Sequence, residues 1–169
     1  MWIYLLAAAL MTCMACARTR EPASDAQKLA KIETFYAKYK RSFPKVKDIT
    51  AVELASRLDD DELVVVDVRT EAERAVSMIP SAITSETFEA NVDDYRGKTV
   101  ITYCTAGYRS GLYAEKLRNR EWNVLNLAGS LLSWSHAGQP LVHDGNPTRR
   151  VHTFGPDWDL LAQGYDAVW

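Results

Sequence analysis

Lys98–Ser110, KTVITYCTAGYRS, reads as a buried strand, a sharp turn and the opening of a helix. Val100, Ile101 and Tyr103 are β-branched or aromatic, as suits a strand with neighbours on both sides. Cys104 stands at the strand's end, and Gly107 lets the turn bend inward without a Cβ clash. Ser110 is expected to cap a helix running through Leu112, Tyr113, Glu115, Lys116 and Leu117. In an open α/β sheet, sites form beyond the carboxyl ends of the strands. A helix starting just past such a loop turns its free N–H groups and positive dipole end toward it. Negative charge on a cysteine sulfur is stabilised there and beside an arginine. The expected arrangement is a ring of amides from Thr105, Ala106, Gly107, Tyr108 and Arg109 around Cys104 Sγ. The competing reading is an inert core cysteine, which the adjoining glycine, arginine and helix start disfavour.

Four stretches together carry a family resemblance. Cys104-Thr105-Ala106-Gly107-Tyr108-Arg109-Ser110 resembles the active-site loop of the rhodanese (sulfurtransferase) family, C-x-x-G-x-R/T-S. Val64–Arg69, VVVDVR, resembles its early strand ending in D-V-R. Ile79–Ile83, IPSAI, resembles its I-P-G-A-I/V turn. Leu127–Trp134, LAGSLLSW, with Gly138 and Pro140, resembles its L-x-G-G-x-x-x-W…G-x-P close. The likeness covers about Val46–Val142. It departs from the family at Ser77, Met78 and Ser81, where Gly, His and Gly are usual, and at Thr105, where arginine is common.

The resemblance implies an α/β fold: an open parallel sheet flanked by helices, here with an N-terminal helix and an aromatic C-terminal extension. It also implies a sulfurtransferase in which Cys104 takes a sulfane sulfur from a small anionic donor such as thiosulfate. The resulting persulfide passes that sulfur to a thiol or cyanide, or to a protein acceptor. Thr105–Arg109 would bind the sulfur anion; Arg109 adds positive charge for the donor or braces the loop against a carboxylate. No metal or organic cofactor is implied. Two rivals remain in view. Cysteine phosphatases and arsenate reductases place five residues between nucleophile and arginine, whereas four separate Cys104 from Arg109. The smaller ring suits a sulfur atom better than a phosphate. The other rival is a non-catalytic or persulfide-carrier module that docks a protein partner at a membrane.

The remaining chain is consistent with this plan. Its 169 residues, 47% hydrophobic and 25% charged, suffice for one domain with a proper core. The net charge of −2 is interspersed, without a basic block, which disfavours nucleic acid as a partner. Of three cysteines, only Cys104 lies in the domain. No Cys/His spacing suggests a metal site, and His136, His143 and His152 read as surface or packing residues. Residues 1–17, MWIYLLAAALMTCMACA, carry no charged side chain. They read as an export signal, with Cys13 or Cys16 as candidate lipid acceptors, or as an uncleaved anchor, since Arg18 and Arg20 follow them. The exported readings place the domain in a periplasm or on a membrane; the anchor places it on the cytoplasmic face.

Residues 18–44 are a linker and a helix, Asp25–Ser42, with an apolar stripe at Leu29, Ile32, Phe35, Tyr36 and Tyr39. The helix is basic on its other face, a solvated surface or a contact with anionic headgroups. Pro44 ends it. Residues 45–142 form the rhodanese-like unit. It is expected to run through a strand Lys45–Ile49, a Thr50–Glu53 capping box opening a helix to about Leu58, an acidic turn at Asp59–Glu62 and a strand Leu63–Val68. Asp67 and Arg69 close that strand and order the rim of the site. A second capping box at Thr70–Glu73 starts a helix to about Val76. Phe88 and Tyr95 anchor an irregular connection, and a strand Trp122–Leu127 and a helix Ser130–Ala137 follow. Residues 143–169 are too aromatic for a disordered tail. They form either a wrap packed through Trp158, Leu160 and Leu161, or a lid or partner-docking surface near the Cys104 mouth.

Overall fold

The computed structural model describes residues 23–169; the signal or anchor expected at residues 1–17 lies outside them. Ser24 caps α1 (Asp25–Tyr39) with a full capping box to Gln27. The helix finishes in a 3₁₀ turn, Lys40–Ser42, instead of staying α-helical to Ser42. β1 (Lys47–Ile49) is two residues shorter than expected. Both threonine capping boxes form, Thr50 with Glu53 and Thr70 with Glu73, and each opens a shorter helix than the pattern implied. These are α2 (Ala51–Ala55) and α3 (Glu71–Arg74), with β2 (Leu63–Asp67) between them.

The connection at 83–95 is more regular than its sequence suggests. It holds β3 (Ile83–Thr84) and α4 (Ser85–Ala90), which Thr84 caps, and a 3₁₀ turn at Val92–Tyr95. Phe88 is buried on α4, with the Tyr95 ring stacked 5.4 Å away and Trp122 edge-on at 5.1 Å. Then come β4 (Thr99–Tyr103), α5 (Tyr108–Arg118), β5 (Val124–Leu127) and α6 (Ser130–His136). The five strands form one parallel sheet in the order β1-β5-β4-β2-β3, which puts β4, the strand that ends at Cys104, in the middle.

Alternation along the central strands sorts their side chains between two cores, as a sheet covered on both faces requires. Val65, Ile101 and Tyr103 face Ile32 of α1, Leu54 of α2 and Leu131 and Trp134 of α6. Val64, Val66 and Val100 face Phe88, Ala114 and Leu117 on the other side. The C-terminal residues join the first core. A hairpin of β6 (Leu141–His143) and β7 (Asn146–Thr148) leads to β8 (Arg150–His152), which pairs in parallel with β9 (Asp166–Val168). Val151, Leu160 and Leu161 are buried there, and Trp158 packs against the cluster. The extension is therefore part of the core, and it also reaches the mouth of the site.

At the family's I-P turn, the departures from the usual residues are absorbed locally. Ser81 adopts a left-handed conformation, φ 62°, where the family has glycine. Met78 exchanges two backbone hydrogen bonds with Val142, and the Ser77 hydroxyl donates to the Arg150 carbonyl. Tyr103 holds the next residue, accepting from Ile79 N–H at 3.1 Å.

Candidate active site

Cys104 follows β4, and the loop Cys104–Gly107 runs into α5. The helix begins earlier than the sequence suggests: its N-cap is Gly107, left-handed at φ 95°, and Ser110 lies inside the first turn. Ser110 is therefore no cap. Its hydroxyl donates to Cys104 Sγ at 3.6 Å, and Gly107 N–H donates to the same sulfur at 3.1 Å. The first amides of α5 have no partner inside the helix, and the positive end of its dipole sits at the loop. Of the expected ring of amides, that of Gly107 makes a direct hydrogen bond to the sulfur.

The loop is fixed from three directions. On one side, α6 supplies its own first turn: Cys104 N–H donates to Ser130 Oγ at 3.1 Å, while Leu131 and Leu132 N–H donate to the Cys104 and Thr105 carbonyls. From behind, Asn126 Nδ2 donates to the Gly107 carbonyl at 3.1 Å and to Tyr36 Oη at 2.9 Å. Tyr36 in turn donates to Asp48, which Lys40 also contacts, both at 2.7 Å. Burial, with Asp48 adding to it, holds the Tyr36 phenol well above its usual pKa, so it stays a donor. The Tyr36 ring also presses on Gly107: a Cβ there would lie 2.7 Å from it.

The third brace is Glu73, which sequence reading assigned only to a capping box. Its Oε2 accepts from Thr70 and from Arg109 Nη1 at 2.8 Å. Its Oε1 accepts from Arg109 Nη2 at 2.6 Å and from Thr105 Oγ1 at 3.1 Å. Burial raises the Glu73 pKa, but hydrogen bonds from Arg109 and Thr70 outweigh it and hold the carboxyl down at about 2. Arg109 is thus engaged as the loop's brace, and the buried Thr105 side chain turns to the same carboxylate. Asp67 and Arg69 form a fully buried bidentate pair one layer further out. Arg69 also donates to the Glu73 carbonyl at 3.3 Å, so this pair supports α3 and through it Glu73.

Cys104 is 2% exposed, yet it lines an open cavity of about 240 Å³ with Ala106, Tyr108 and Arg109. The other walls are Tyr39 of α1 and Phe154 and Trp158 of the C-terminal extension. Tyr39 and Tyr108 lie 5.2 Å apart, Phe154 and Trp158 5.6 Å apart and edge-on, and the Arg109 guanidinium sits 5.4 Å from the Phe154 ring. Thr105 and Gly107 do not line the cavity. Among the described residues no cluster of His, Cys, Asp or Glu could hold a metal ion, and no helix is long and apolar enough to cross a membrane.

The chain that carries this cysteine is similar to several known proteins. The chain is 32% identical over 102 residues to a sulfurtransferase of Allochromatium vinosum, covering 57% of this chain and 95% of that protein. Its fold is similar to a rhodanese-related protein of Thermoplasma volcanium, with 25% identity and a TM-score of 0.50 over 57% of this chain and 97% of that one. It is also similar to a thiosulfate sulfurtransferase of Pseudomonas aeruginosa, with 25% identity and a TM-score of 0.55 over 75% of this chain and 25% of that one. Residues 50–137 match the model of the rhodanese-like domain, just over half of the chain, and the protein belongs to that family.

Proposed function

We propose that the protein transfers sulfane sulfur through a persulfide on Cys104. The observation that carries this reading is a cysteine sulfur that receives a main-chain N–H at 3.1 Å and a hydroxyl, yet lines an open cavity. The Cys104 thiolate attacks the outer sulfur of a donor X–S⁻. The X–S bond breaks, X leaves with the electron pair (as sulfite, when the donor is thiosulfate), and Cys104–S–S⁻ remains. An acceptor thiolate or cyanide then attacks the outer sulfur, and the S–S bond breaks to return the Cys104 thiolate. No net oxidation occurs within the protein, and the thiol's proton passes to solvent. Gly107 N–H, the Ser110 hydroxyl and the α5 dipole stabilise the anionic sulfur before and after transfer, held in place rather than recruited. Residues 1–17 would export or tether the domain, and the mass of the mature N-terminus tests that assignment.

Intact and peptide mass spectrometry after incubation with thiosulfate or methanethiosulfonate tests the chemistry. The expected result is a gain of one sulfur atom on the Cys104 peptide, reversed by a thiol or by cyanide with release of thiocyanate, and absent in Cys104→Ser. Sulfur transfer retained by Cys104→Ser overturns the assignment. Faster release of phosphate from an aryl phosphate than transfer of sulfur would replace it with phosphatase chemistry.

A further inference from the structure

We infer that the Cys104 cavity is built for an organic sulfur compound with an apolar or aromatic body, and that Phe154 and Trp158 of the C-terminal extension select it. This rests on the sulfur-transfer reading of Cys104 and adds the substrate class.

Three observations carry it. First, the wall is aromatic: Tyr39, Tyr108, Phe154 and Trp158 line the cavity that Cys104 opens into, with Ala106 completing the apolar lining. Phe154 is 50% exposed and Tyr108 42%, so both rings keep apolar surface available to a bound group. Rings held open around a reactive atom present faces on which a flat or apolar group stacks. Second, the single cation of the lining, Arg109, is matched by both oxygens of Glu73, so the cavity offers a doubly charged inorganic donor no unpaired positive charge. Third, the space of about 240 Å³ equals the liquid volume of about eight waters. A small inorganic anion would leave much of it as water against aromatic rings, whereas an organic body displaces that water.

Three of the wall residues lie beyond the family match. Tyr39, Phe154 and Trp158 fall outside residues 50–137, the part that matches the family. Phe154 and Trp158 meet edge-on, and Trp158 is backed by Phe35 of α1 at 5.8 Å, so both chain ends contribute to one aromatic cluster. In the transfer step, Cys104 S⁻ attacks the terminal sulfur of R–SO₂–S⁻ or R–S–S⁻. The bond from that sulfur to the rest of the donor breaks, and R–SO₂⁻ or R–S⁻ leaves with the electron pair while R rests on the rings.

Benzenethiosulfonate and methanethiosulfonate test this as donors, since they share the reacting group and charge and differ in R. The readout is the ratio of their kcat/KM values, compared between variants so that intrinsic reactivity cancels. In Phe154→Ala the phenyl-to-methyl ratio is expected to fall about three- to tenfold, the scale of one aromatic contact. Trp158→Leu is expected to lower it as well, while Trp169→Ala, an exposed ring outside the cavity, keeps the wild-type ratio. An unchanged ratio in Phe154→Ala and Trp158→Leu, with sulfur still transferred, overturns the inference and leaves the sulfur-transfer reading standing. Absence of transfer from either donor in the wild-type protein overturns both.

Discussion

Glu73 holds more of the site together than any other single side chain. One carboxylate caps α3, holds Thr105 and takes both Nη groups of Arg109. Its pKa lies near 2 in the fold against an ordinary 4.5. A carboxyl depressed by folding stabilises fully above its unfolded value and loses that contribution as pH falls toward the folded one. Glu73→Gln is therefore expected to lower stability at neutral pH by about 1–3 kcal/mol. The gap to wild type should close as pH drops from 4.5 toward 2, as read from urea midpoints across that range. Gly107 gives a second prediction. It needs φ 95°, and a Cβ would collide with the Tyr36 ring, whereas Gly97, at φ 85°, has open space. Gly97→Ala should cost about 1–2 kcal/mol, the left-handed penalty alone. Gly107→Ala should cost distinctly more in the same denaturation experiment.

Among the elements, α1 is the one whose role exceeds its sequence signal. Its apolar stripe marks it as packing on the domain, and Ile32 and Tyr36 are indeed buried. The stripe does not reveal that Tyr36 hydroxyl, through Asn126, supports the Gly107 carbonyl of the residue whose N–H meets the cysteine sulfur. Tyr36→Phe keeps the ring and removes that link. A stability loss of about 1–2 kcal/mol is expected. In a sulfur-transfer assay, kcat should fall while the donor KM stays the same, which separates positioning of the loop from binding. α5 carries the other lesson at this scale. Ser110 has the side chain of a cap, yet the helix starts at a left-handed glycine. That choice turns the Ser110 hydroxyl inward to the sulfur.

For the whole molecule, the segment that matches the family is not the whole core. Val151, Leu160 and Leu161 are buried in the same cluster as Ile101, Leu131 and Trp134. Losing three such side chains removes on the order of 5 kcal/mol of burial, comparable to a domain's whole stability. A chain ending at Val142 should melt at least about 10 °C lower than the full chain, or without a cooperative transition. An unchanged melting temperature by circular dichroism would show the extension to be an independent appendage.

The parallel sheet, the strand-turn-helix around Cys104 and both threonine capping boxes were legible in the chain by itself. Each is encoded within a few neighbouring residues: runs of β-branched and aromatic residues, a glycine at the turn, a hydroxyl three residues before a glutamate. The Glu73–Arg109 pair spans 36 residues, the Asn126–Tyr36 bond 90, and the aromatic mouth joins α1 to the C-terminal extension. Contacts of that separation depend on how helices pack across the sheet, and no local pattern specifies it. The placement of Cys104 at a strand-to-helix turn was thus decided by sequence, while what braces its sulfur and what walls the cavity beside it were decided by tertiary structure.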